Sequence, residues 1–212
     1  LCGLFLWDFH LGIMMDKWRD KYGSQVKDWI YAISRMEELL SFAVLARTRE
    51  VSYPEVTRHE RVEVSAENLR HPLIDPSKVV PNDAAFKGGA TIITGSNMSG
   101  KTTFLRTLGI NLILAYAGAP VCAENMHADY MKIFTSMRVT DDVSNGISTF
   151  YAEILRIKSM VEYKKNEMPM LCLIDEIFKG TNSADRIVGA TQVIRKLSDV
   201  HSMALVSTHD FE

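Results

Sequence analysis

The apolar positions in the first fifty residues recur at the spacing of an α-helix. From Gln25 onward they fall on one side of a helix, while the charged residues point elsewhere. This stripe comprises Val26, Trp29, Ile30, Ile33, Met36, Leu40, Ala43 and Val44. It fades by Arg49, and Pro54 would end any helix that continued so far. The pattern therefore predicts a long amphipathic helix.

The segment from Leu1 to Met15 is apolar but interrupted by polar residues. It is too short to span a bilayer and lacks the basic start of a signal peptide, so a buried or interfacial helix is predicted. Trp18 and Trp29 could form a binding platform, but aromatic residues at helical spacing more often belong to a core. Residues 1 to about 50 are thus predicted to form a helical pair, with residues 21–24 as the turn.

The pattern is mixed between the helical pair and residue 90. Residues 61–65 alternate between apolar and polar, as in an exposed strand. Residues 68–74 then lead into a loop that contains Pro76 and Pro81, and Gly88 begins the turn into the next strand.

From residue 90 onward, apolar runs typical of strands alternate with segments of helical spacing. The predicted strands cover residues 90–94, 130–138, 170–174 and 203–208, and the predicted helices cover residues 104–114, 148–163 and 183–198. Residues 170–174 form a continuous apolar run, which suits a strand buried on both faces. This alternation predicts an α/β fold with a mostly parallel central sheet.

Composition and charge indicate an ordinary globular protein rather than a strongly basic or disulfide-rich one. The 212 residues are 47% hydrophobic and 24% charged with a net charge of −2, as in an ordinary globular protein. No global positive field draws the chain to DNA, so any DNA contact needs a local patch or segments outside this chain. Three scattered cysteines indicate a reducing compartment rather than a disulfide framework. The chain lacks an initial Met and stops after a strand-like run, so we expect a fragment of a longer protein.

A small-residue loop follows the first predicted strand in the frame Gly95-x4-Gly100-Lys101-Thr102. Strand, loop and helix stand in the order that a phosphate-binding P-loop requires. Glycines at both ends let backbone N–H groups face an anion, the helix adds its dipole, and Lys101 adds a charge for the β- and γ-phosphates. Thr102 offers a hydroxyl to Mg²⁺. A chance turn before a helix with a surface lysine is the alternative, and the agreement of motif and context disfavours it.

Two adjacent carboxylates follow the apolar run at residues 170–174. Asp175 is a candidate Mg²⁺ ligand, and Glu176 is a candidate general base for an attacking water. In open α/β sheets ligands bind at the carboxyl ends of the strands, where a P-loop also lies. Adjacent acids at a strand end are weak evidence alone but strong evidence beside a P-loop.

Further polar residues lie near predicted strand and helix ends. Residues 180–185 form a polar loop that could cap the next helix. His209 follows a buried strand and is a candidate γ-phosphate sensor. A loop at residues 141–150 opens a helix at Ser148 or Thr149, where a Ser/Thr followed by Glu153 is similar to a capping box.

The order of these motifs is similar to that of a known family. The P-loop is followed by Asp-Asp-x5-Ile-Ser-Thr-Phe-x2-Glu, a strand with Asp-Glu, Gly-Thr-Asn-Ser, and Ser-Thr-His. This order, with Asn97-Met98-Ser99-Gly100-Lys101 and Arg70-His71-Pro72, resembles the C-terminal ATPase domain of the MutS family, a branch of the ABC-type ATPases. The resemblance divides the chain into a helical segment (1–52), a connecting segment (53–66) and an ATPase domain (67–212) truncated at its C-terminus.

The resemblance implies an ATPase that works as a homodimer with ATP and Mg²⁺. ATP would lie on the P-loop of one subunit, and Ser148 of the other subunit would reach the γ-phosphate, which Asn97 also contacts. Glu176 would activate water, with Lys101 and His209 completing the catalytic set, and Thr102 and Asp175 would hold the metal. The cofactor-binding residues would be Gly95, Ser96, Asn97, Met98, Ser99, Gly100, Lys101, Thr102 and Thr103 with Ser148 in trans.

DNA would bind through regions mostly outside this chain, with nucleotide state coupled to a clamp on DNA, as in mismatch repair. The resemblance implies a cytoplasmic chain. The region of Leu6-Trp7-Asp8 and Lys17-Trp18 is similar to a bacterial subgroup of MutS-like proteins that carries hydrophobic segments upstream. This similarity leaves membrane attachment of the parent protein open.

The sequence departs from the family pattern at three places. Ser96 replaces the usual Pro, and Phe178-Lys179 replaces the common Gly-Arg. Where the family often has an aromatic residue that stacks on adenine, Val79-Val80-Pro81 offers only aliphatic contact.

Two other classes of protein stay open. One is a nucleotide-gated scaffold without hydrolysis, which could be tethered to a membrane; intact Lys101, Thr102, Asp175 and Glu176 argue against lost hydrolysis. The other is an ABC transporter subunit, which would need a Leu-Ser-Gly-Gly-Gln stretch before the Asp-Glu strand that this sequence lacks.

Overall fold

The computed structural model of the chain describes residues 7–96, 98–137, 149–165, 168–178 and 182–208. They fall into two compact units, residues 1–47 and residues 48–212. The described elements in chain order are α1 (Trp7–Tyr22), α2 (Val26–Thr48), β1 (Glu55–Thr57), β2 (Glu63–Leu69), β3 (Asn82–Lys87), β4 (Gly89–Ile93), α3 (Lys101–Tyr116), β5 (Asn125–Asp129), β6 (Lys132–Ser136), α4 (Thr149–Lys164), β7 (Met170–Asp175), α5 (Ser183–Leu197) and β8 (Ser202–Ser207).

The predicted pair of helices at the start of the chain is confirmed. Helices α1 and α2 are joined by a 3-10 turn at Gly23–Gln25, close to the predicted turn. Among the described helices, none is both long and apolar enough to cross a membrane.

The apolar stripes of these two helices do not form a core. None of the described residues of α1 or α2 is buried, and Trp18 and Trp29 are 50% and 42% exposed. The expectation that these tryptophans are core residues is therefore wrong. Their rings meet beside the turn with centroids 6.4 Å apart, and Tyr22 contacts both. Periodicity reveals which side of a helix is apolar but not what covers it.

A parallel sheet with helices is the centre of the second unit, as predicted. In the described residues its strands lie in the order β4-β8-β7-β6, and every neighbouring pair is parallel. The carboxyl ends of β4, β7 and β8 are aligned, because Ser207 pairs with both Ile93 and Asp175. This alignment brings the segments that follow the three strands to one edge of the sheet.

A second, mixed sheet was not expected from the sequence. Its described strands lie in the order β1-β5-β2-β3, with β1 parallel to β5 and the other pairs antiparallel. The predicted exposed strand at residues 61–65 corresponds to the start of β2, but Val62 and Val64 are each 1% exposed. That part of the prediction is wrong because the valine side of β2 packs into the core.

Two hydrophobic clusters cover the two faces of the parallel sheet. Leu171 and Leu173 of β7 face a cluster that also contains the apolar residues of α3 and β2. Cys172 and Ile174 face the opposite cluster, which contains apolar residues of α4 and α5. Successive strand residues point to opposite faces, so β7 is buried on both. The layers are therefore the mixed sheet, α3, the parallel sheet, and the pair α4 and α5.

Gly88 connects the two sheets. Its N–H donates to Val62 O at 2.7 Å, and Val62 N–H donates to Val200 O at 3.0 Å. A Cβ at position 88 would lie 2.5 Å from Val200 O and 2.9 Å from Asp199 O. Only glycine fits between these backbones, so the junction of β3 and β4 can pass close to the turn before β8.

Candidate functional site

The loop between β4 and α3 has the backbone geometry of an anion-binding loop. Gly95 and Gly100 have φ of 151° and 93°, conformations that favour glycine, and Met98 has φ of 65°. A Cβ at Gly95 would lie 3.0 Å from Ser99 Oγ. Helix α3 begins at Lys101 and has no side-chain hydrogen bond capping its N-terminus. Its first N–H groups lie at the positive end of the helix dipole, which favours an anion such as phosphate.

Lys101 folds back over this loop. Its Nζ donates to Gly95 O at 2.7 Å and to Ser96 O at 2.8 Å. The ammonium group therefore lies above the same backbone that would surround a phosphate, which is where the predicted role requires a charge.

Thr102 and Asp175 are in direct contact although they are far apart in sequence. Thr102 Oγ1 donates to Asp175 Oδ2 at 2.8 Å, and Ser207 Oγ donates to Asp175 Oδ1. The first turn of α3 and the ends of β7 and β8 thus meet at one carboxylate. A hydroxyl and a carboxylate beside a phosphate loop are oxygen donors of the kind that Mg²⁺ prefers. The donor set therefore fits the predicted metal.

Glu176 follows Asp175 at the same sheet edge. Its backbone takes a left-handed conformation, with φ of 55°, and its N–H donates to Ser207 O at 3.1 Å. A second, longer contact of this N–H reaches Ser207 Oγ at 3.3 Å. Ser207 therefore holds both carboxylate-bearing residues, one by its side chain and the other mainly by its backbone. Sequence reasoning used the strand that ends at Ser207 only to locate His209.

A cleft of about 740 Å³ extends from the loop to the segment between β2 and β3. Its lining includes the loop residues together with His71, Ile74, Val79, Val80 and Phe104. The aliphatic contact expected from Val79 and Val80 is thus accompanied by two ring-bearing side chains that sequence reasoning did not assign to the site. Phe104 packs edge-on against Phe86, with ring centroids 6.1 Å apart.

His71 has a defined hydrogen bond at the wall of this cleft. Its Nδ1 accepts from Leu73 N–H at 3.2 Å, so a neutral ring carries its proton on Nε2. Partial burial, followed by the charge of Arg106, lowers the pKa of His71 below 6.5. The lowered pKa favours the neutral ring near pH 7, in which Nε2 carries the N–H.

Asn111 attaches the His71 segment to α3. Its side chain is fully buried; Nδ2 donates to Arg70 O at 3.0 Å and Oδ1 accepts from Cys122 N–H at 2.7 Å. Sequence reasoning missed this residue, although an asparagine on the apolar side of a helix is a visible signal. Buried amides are normally hydrogen-bonded, so the position of a partner segment could have been inferred.

Glu153 of α4 contacts the segment that follows β7, which contains Glu176 and Phe178. Its side chain is 7% exposed, and Oε1 accepts from Phe178 N–H at 2.6 Å. The capping-box interpretation of Glu153 does not include this contact between elements.

Several predicted residues lie outside the part of the chain that the structure describes. They are Asn97, Ser148, Gly180 and His209. Of the other loop residues, Ser96, Met98, Ser99 and Thr103 are exposed, which leaves them accessible to a ligand. The described residues contain no group of three or more His, Cys, Asp or Glu that could hold a metal ion. Thr102 and Asp175 do not count as such a group, because they are two residues and only Asp175 is of these types.

Comparison with known proteins gives a consistent result. The family described as MutS domain V matches residues 91–212, which include the P-loop frame and Asp175-Glu176. DNA mismatch repair protein MutS from Staphylococcus aureus strains JH9, Newman and USA300 / TCH1516 is in each case 30% identical over 213 residues. These matches cover 97% of this chain and 24% of each relative. The chain thus spans about a quarter of the length of these relatives, and it belongs to the MutS family.

Proposed function

We propose that this chain is the ATP-binding and ATP-hydrolysing part of a MutS-like DNA-binding protein, with an ABC-type ATPase fold. The observation that carries the proposal is the hydrogen bond between Thr102 Oγ1 and Asp175 Oδ2 at 2.8 Å. It joins the first helical turn after the phosphate loop to the end of β7, as a nucleotide–magnesium site requires. A surface lysine after a chance turn would not need this contact.

The phosphates of ATP would be held by the chain itself. Backbone N–H groups of the loop from Gly95 to Gly100 and of the first turn of α3 would bind phosphate oxygens, and Lys101 would bind the β- and γ-phosphates. Thr102 and Asp175 would hold Mg²⁺, which neutralises charge on the phosphates when bound. The base would lie in the cleft near Val79 and Phe104.

Glu176 would take a proton from the attacking water. Its backbone is anchored to Ser207, one strand away from Asp175, so the base and the metal ligand share one support. Asn97 and His209 would contact or sense the γ-phosphate. A positioned general base typically contributes about a hundredfold to ten-thousandfold in rate.

Each site would be completed by a second copy of the protein. Ser148, in the segment before α4, would reach the γ-phosphate on the partner subunit's loop. The relatives are named DNA mismatch repair proteins, so we extend this proposal to DNA maintenance, with DNA bound mainly by regions outside this chain. Nucleotide state would then be coupled to a clamp on DNA.

The substitution Glu176→Gln tests hydrolysis. We expect the variant to bind a fluorescent ATP analogue as the unmodified protein does and to hydrolyse ATP about a hundredfold more slowly or worse. Glu162→Gln is the matched control, because Glu162 is an exposed carboxylate on α4. Steady-state turnover equal to that of the unmodified protein would place the base elsewhere.

Mixing of subunits tests the composite site. Full-length subunits with Ser148→Ala are mixed with subunits with Lys101→Ala. A mixed dimer has one site with both defects and one site with neither, so turnover should partly return. If both variants are inactive and demonstrated subunit exchange restores no turnover, the sites are not shared between subunits.

A further inference from the structure

The segment after β7 contains two residues in an unfavourable backbone conformation. Glu176 and Phe178 have φ of 55° and 60°, in the left-handed region that residues with a Cβ rarely adopt. Such conformations persist only where surrounding contacts impose them, and they concentrate at functional sites. The contacts that impose them here can be identified individually.

Glu176 is held from the side of the parallel sheet. Its N–H donates to Ser207 O, and the next residue, Ile177, is 3% exposed within the cluster that α4 and α5 cover. These contacts fix the start of the segment but do not reach Phe178. A separate contact must hold the end of the segment in place.

Glu153 supplies that contact from α4. Its Oε1 accepts from Phe178 N–H at 2.6 Å, and its side chain is buried. Phe150, three residues earlier on the same side of the helix, places its ring 6.1 Å from the ring of Phe178. Two residues on one face of α4 therefore contact Phe178: Glu153 binds its backbone N–H, and Phe150 packs against its ring.

Helix α5 also contacts the Phe178 ring. A Cβ at Gly189 would lie 3.1 Å from Cε2 and 3.3 Å from Cδ2 of that ring. The Phe178 ring thus contacts both α4 and α5, while the backbone N–H of Phe178 donates to a buried carboxyl group. Removal of the carboxyl would leave a part-buried N–H without this acceptor and would release the strained conformation.

We propose that Glu153 is a positioning residue for Glu176. It holds the end of the strained segment, and Ser207 holds the start, so the carboxylate of Glu176 keeps its place beside Asp175. This inference rests on the proposed ATPase function. The role of Glu153 is indirect, because it acts through the backbone of residues 176–178 and need not touch the nucleotide.

Kinetics of Glu153→Ala and Glu153→Gln test this role in the full-length protein. We expect Glu153→Ala to lower kcat about tenfold to a hundredfold, since small misplacement of a reacting group has effects of that size. The dissociation constant of a fluorescent ATP analogue should not change. Glu153→Gln keeps an oxygen acceptor and should keep kcat within about threefold. Glu162→Ala, an exposed carboxylate on the same helix, is the control and should have no effect.

The same substitution in the background of Glu176→Gln separates positioning from general damage. Residues that act as a unit have non-additive effects, so Glu153→Ala should cause almost no further loss once the base is removed. An equal loss of kcat in both backgrounds, or a parallel loss of ATP affinity, would overturn the proposal. So would an unchanged kcat in Glu153→Ala.

Hydrogen exchange measured by mass spectrometry reports on the contact independently of catalysis. A peptide that covers residues 176–178 should exchange faster in Glu153→Ala but not in Glu153→Gln or Glu162→Ala. Unchanged exchange in Glu153→Ala would overturn the tether. If the unmodified full-length protein hydrolyses no ATP, the ATPase function fails and the positioning role fails with it, while faster exchange in Glu153→Ala would still establish the tether.

Discussion

The two sheets of the second unit bury their strands in different ways. In the described residues, β8 of the parallel sheet is buried at every position, and β7 is buried as far as Asp175. In the mixed sheet, β2 alternates between buried residues such as Val64 and exposed residues such as Ser65. The central strands β7 and β8 are covered on both faces, although the edge strands β4 and β6 are partly exposed, whereas β2 leaves one face in solvent.

This difference determines where chemistry can be concentrated. A strand buried on both faces can place polar side chains only near its ends, and ends of parallel strands meet at one edge. Asp175, Glu176 and Ser207 lie there, beside the loop after β4. The mixed sheet spreads its polar side chains over an open face, where Lys87 and Glu63 form an ion pair at 3.3 Å. Its contribution to the site is the connection between β2 and β3, which forms a wall of the cleft.

The contrast between the two sheets is tested most strongly at the edge of the parallel sheet that carries the candidate site. We expect Lys101→Ala to weaken binding of a fluorescent ATP analogue about a hundredfold or more, because charged hydrogen bonds to phosphate are lost. The free energy of unfolding should change by less than about 1 kcal/mol, since the hydrogen bonds of Nζ to Gly95 O and Ser96 O are exposed to solvent.

Lys87→Ala is the matched control from the open face of the mixed sheet. It removes an exposed lysine with one ion pair and should leave ATP binding unchanged. If Lys101→Ala binds the analogue with nearly the affinity of the unmodified protein, the prediction is wrong. A collapse of far-ultraviolet circular dichroism would instead make Lys101 a structural residue.

A second substitution tests the junction of the two sheets. Gly88→Ala would place a Cβ 2.5 Å from Val200 O, and backbone cannot yield as a flexible side chain does. We expect the free energy of unfolding in urea to fall by about 1–3 kcal/mol. Gly12→Ala makes the same chemical change in α1, where nothing lies within 4 Å, and should stabilise its helix by up to about 1 kcal/mol. Equal effects of the two substitutions would show that the two sheets are not tightly joined at Gly88.

A smaller effect is expected where α3 meets the mixed sheet. Tyr116 OH donates to Asp129 O at 2.6 Å and accepts from Met131 N–H at 3.2 Å. Tyr116→Phe should lower the free energy of unfolding by about 1 kcal/mol near pH 7. Tyr53→Phe, at a tyrosine that is 76% exposed, is the control.

The same pair of variants has a pH signature. Burial raises the pKa of Tyr116 from 10 to about 12, so the folded chain keeps its proton where the unfolded chain loses it. The contribution of this group to stability is complete below pH 10 and declines as the pH rises toward 12. We expect the decline to be less steep in Tyr116→Phe than in Tyr53→Phe. Identical slopes would argue against a buried phenol.

Much of the parallel sheet and its edge could be predicted from the sequence. Residues 170–174 are apolar without interruption, and the P-loop frame is specific in both spacing and context. The mixed sheet could not be predicted, because β3 and β5 are short and contain polar residues at most exposed positions. Alternation in β2 was visible, but alternation does not show which face meets a core.

Contacts between distant segments also escaped the sequence. The sequence predicted that Thr102 and Asp175 belong to one site, and the two residues are in contact, but the support from Ser207 depends on strand order, which only the fold reveals. In the sequence, Asn111 is only a polar residue on the apolar side of a helix, and Glu153 is only part of a possible capping box. In the structure, Asn111 donates a hydrogen bond to Arg70 O, and Glu153 accepts one from Phe178 N–H, so each residue holds a segment that is distant in the sequence.

The two hydrogen bonds of Lys101 within its own loop have a consequence for kinetics. The ammonium group already has Gly95 O and Ser96 O as acceptors, so an arriving phosphate must exchange with them rather than meet a solvated cation. Much of the gain from each new hydrogen bond is offset by one that is lost. The carbonyls then act as an internal competitor, ready to reclaim the ammonium when phosphate leaves. Under the proposed function, the loop that would bind the phosphates would therefore also limit how tightly Lys101 holds them.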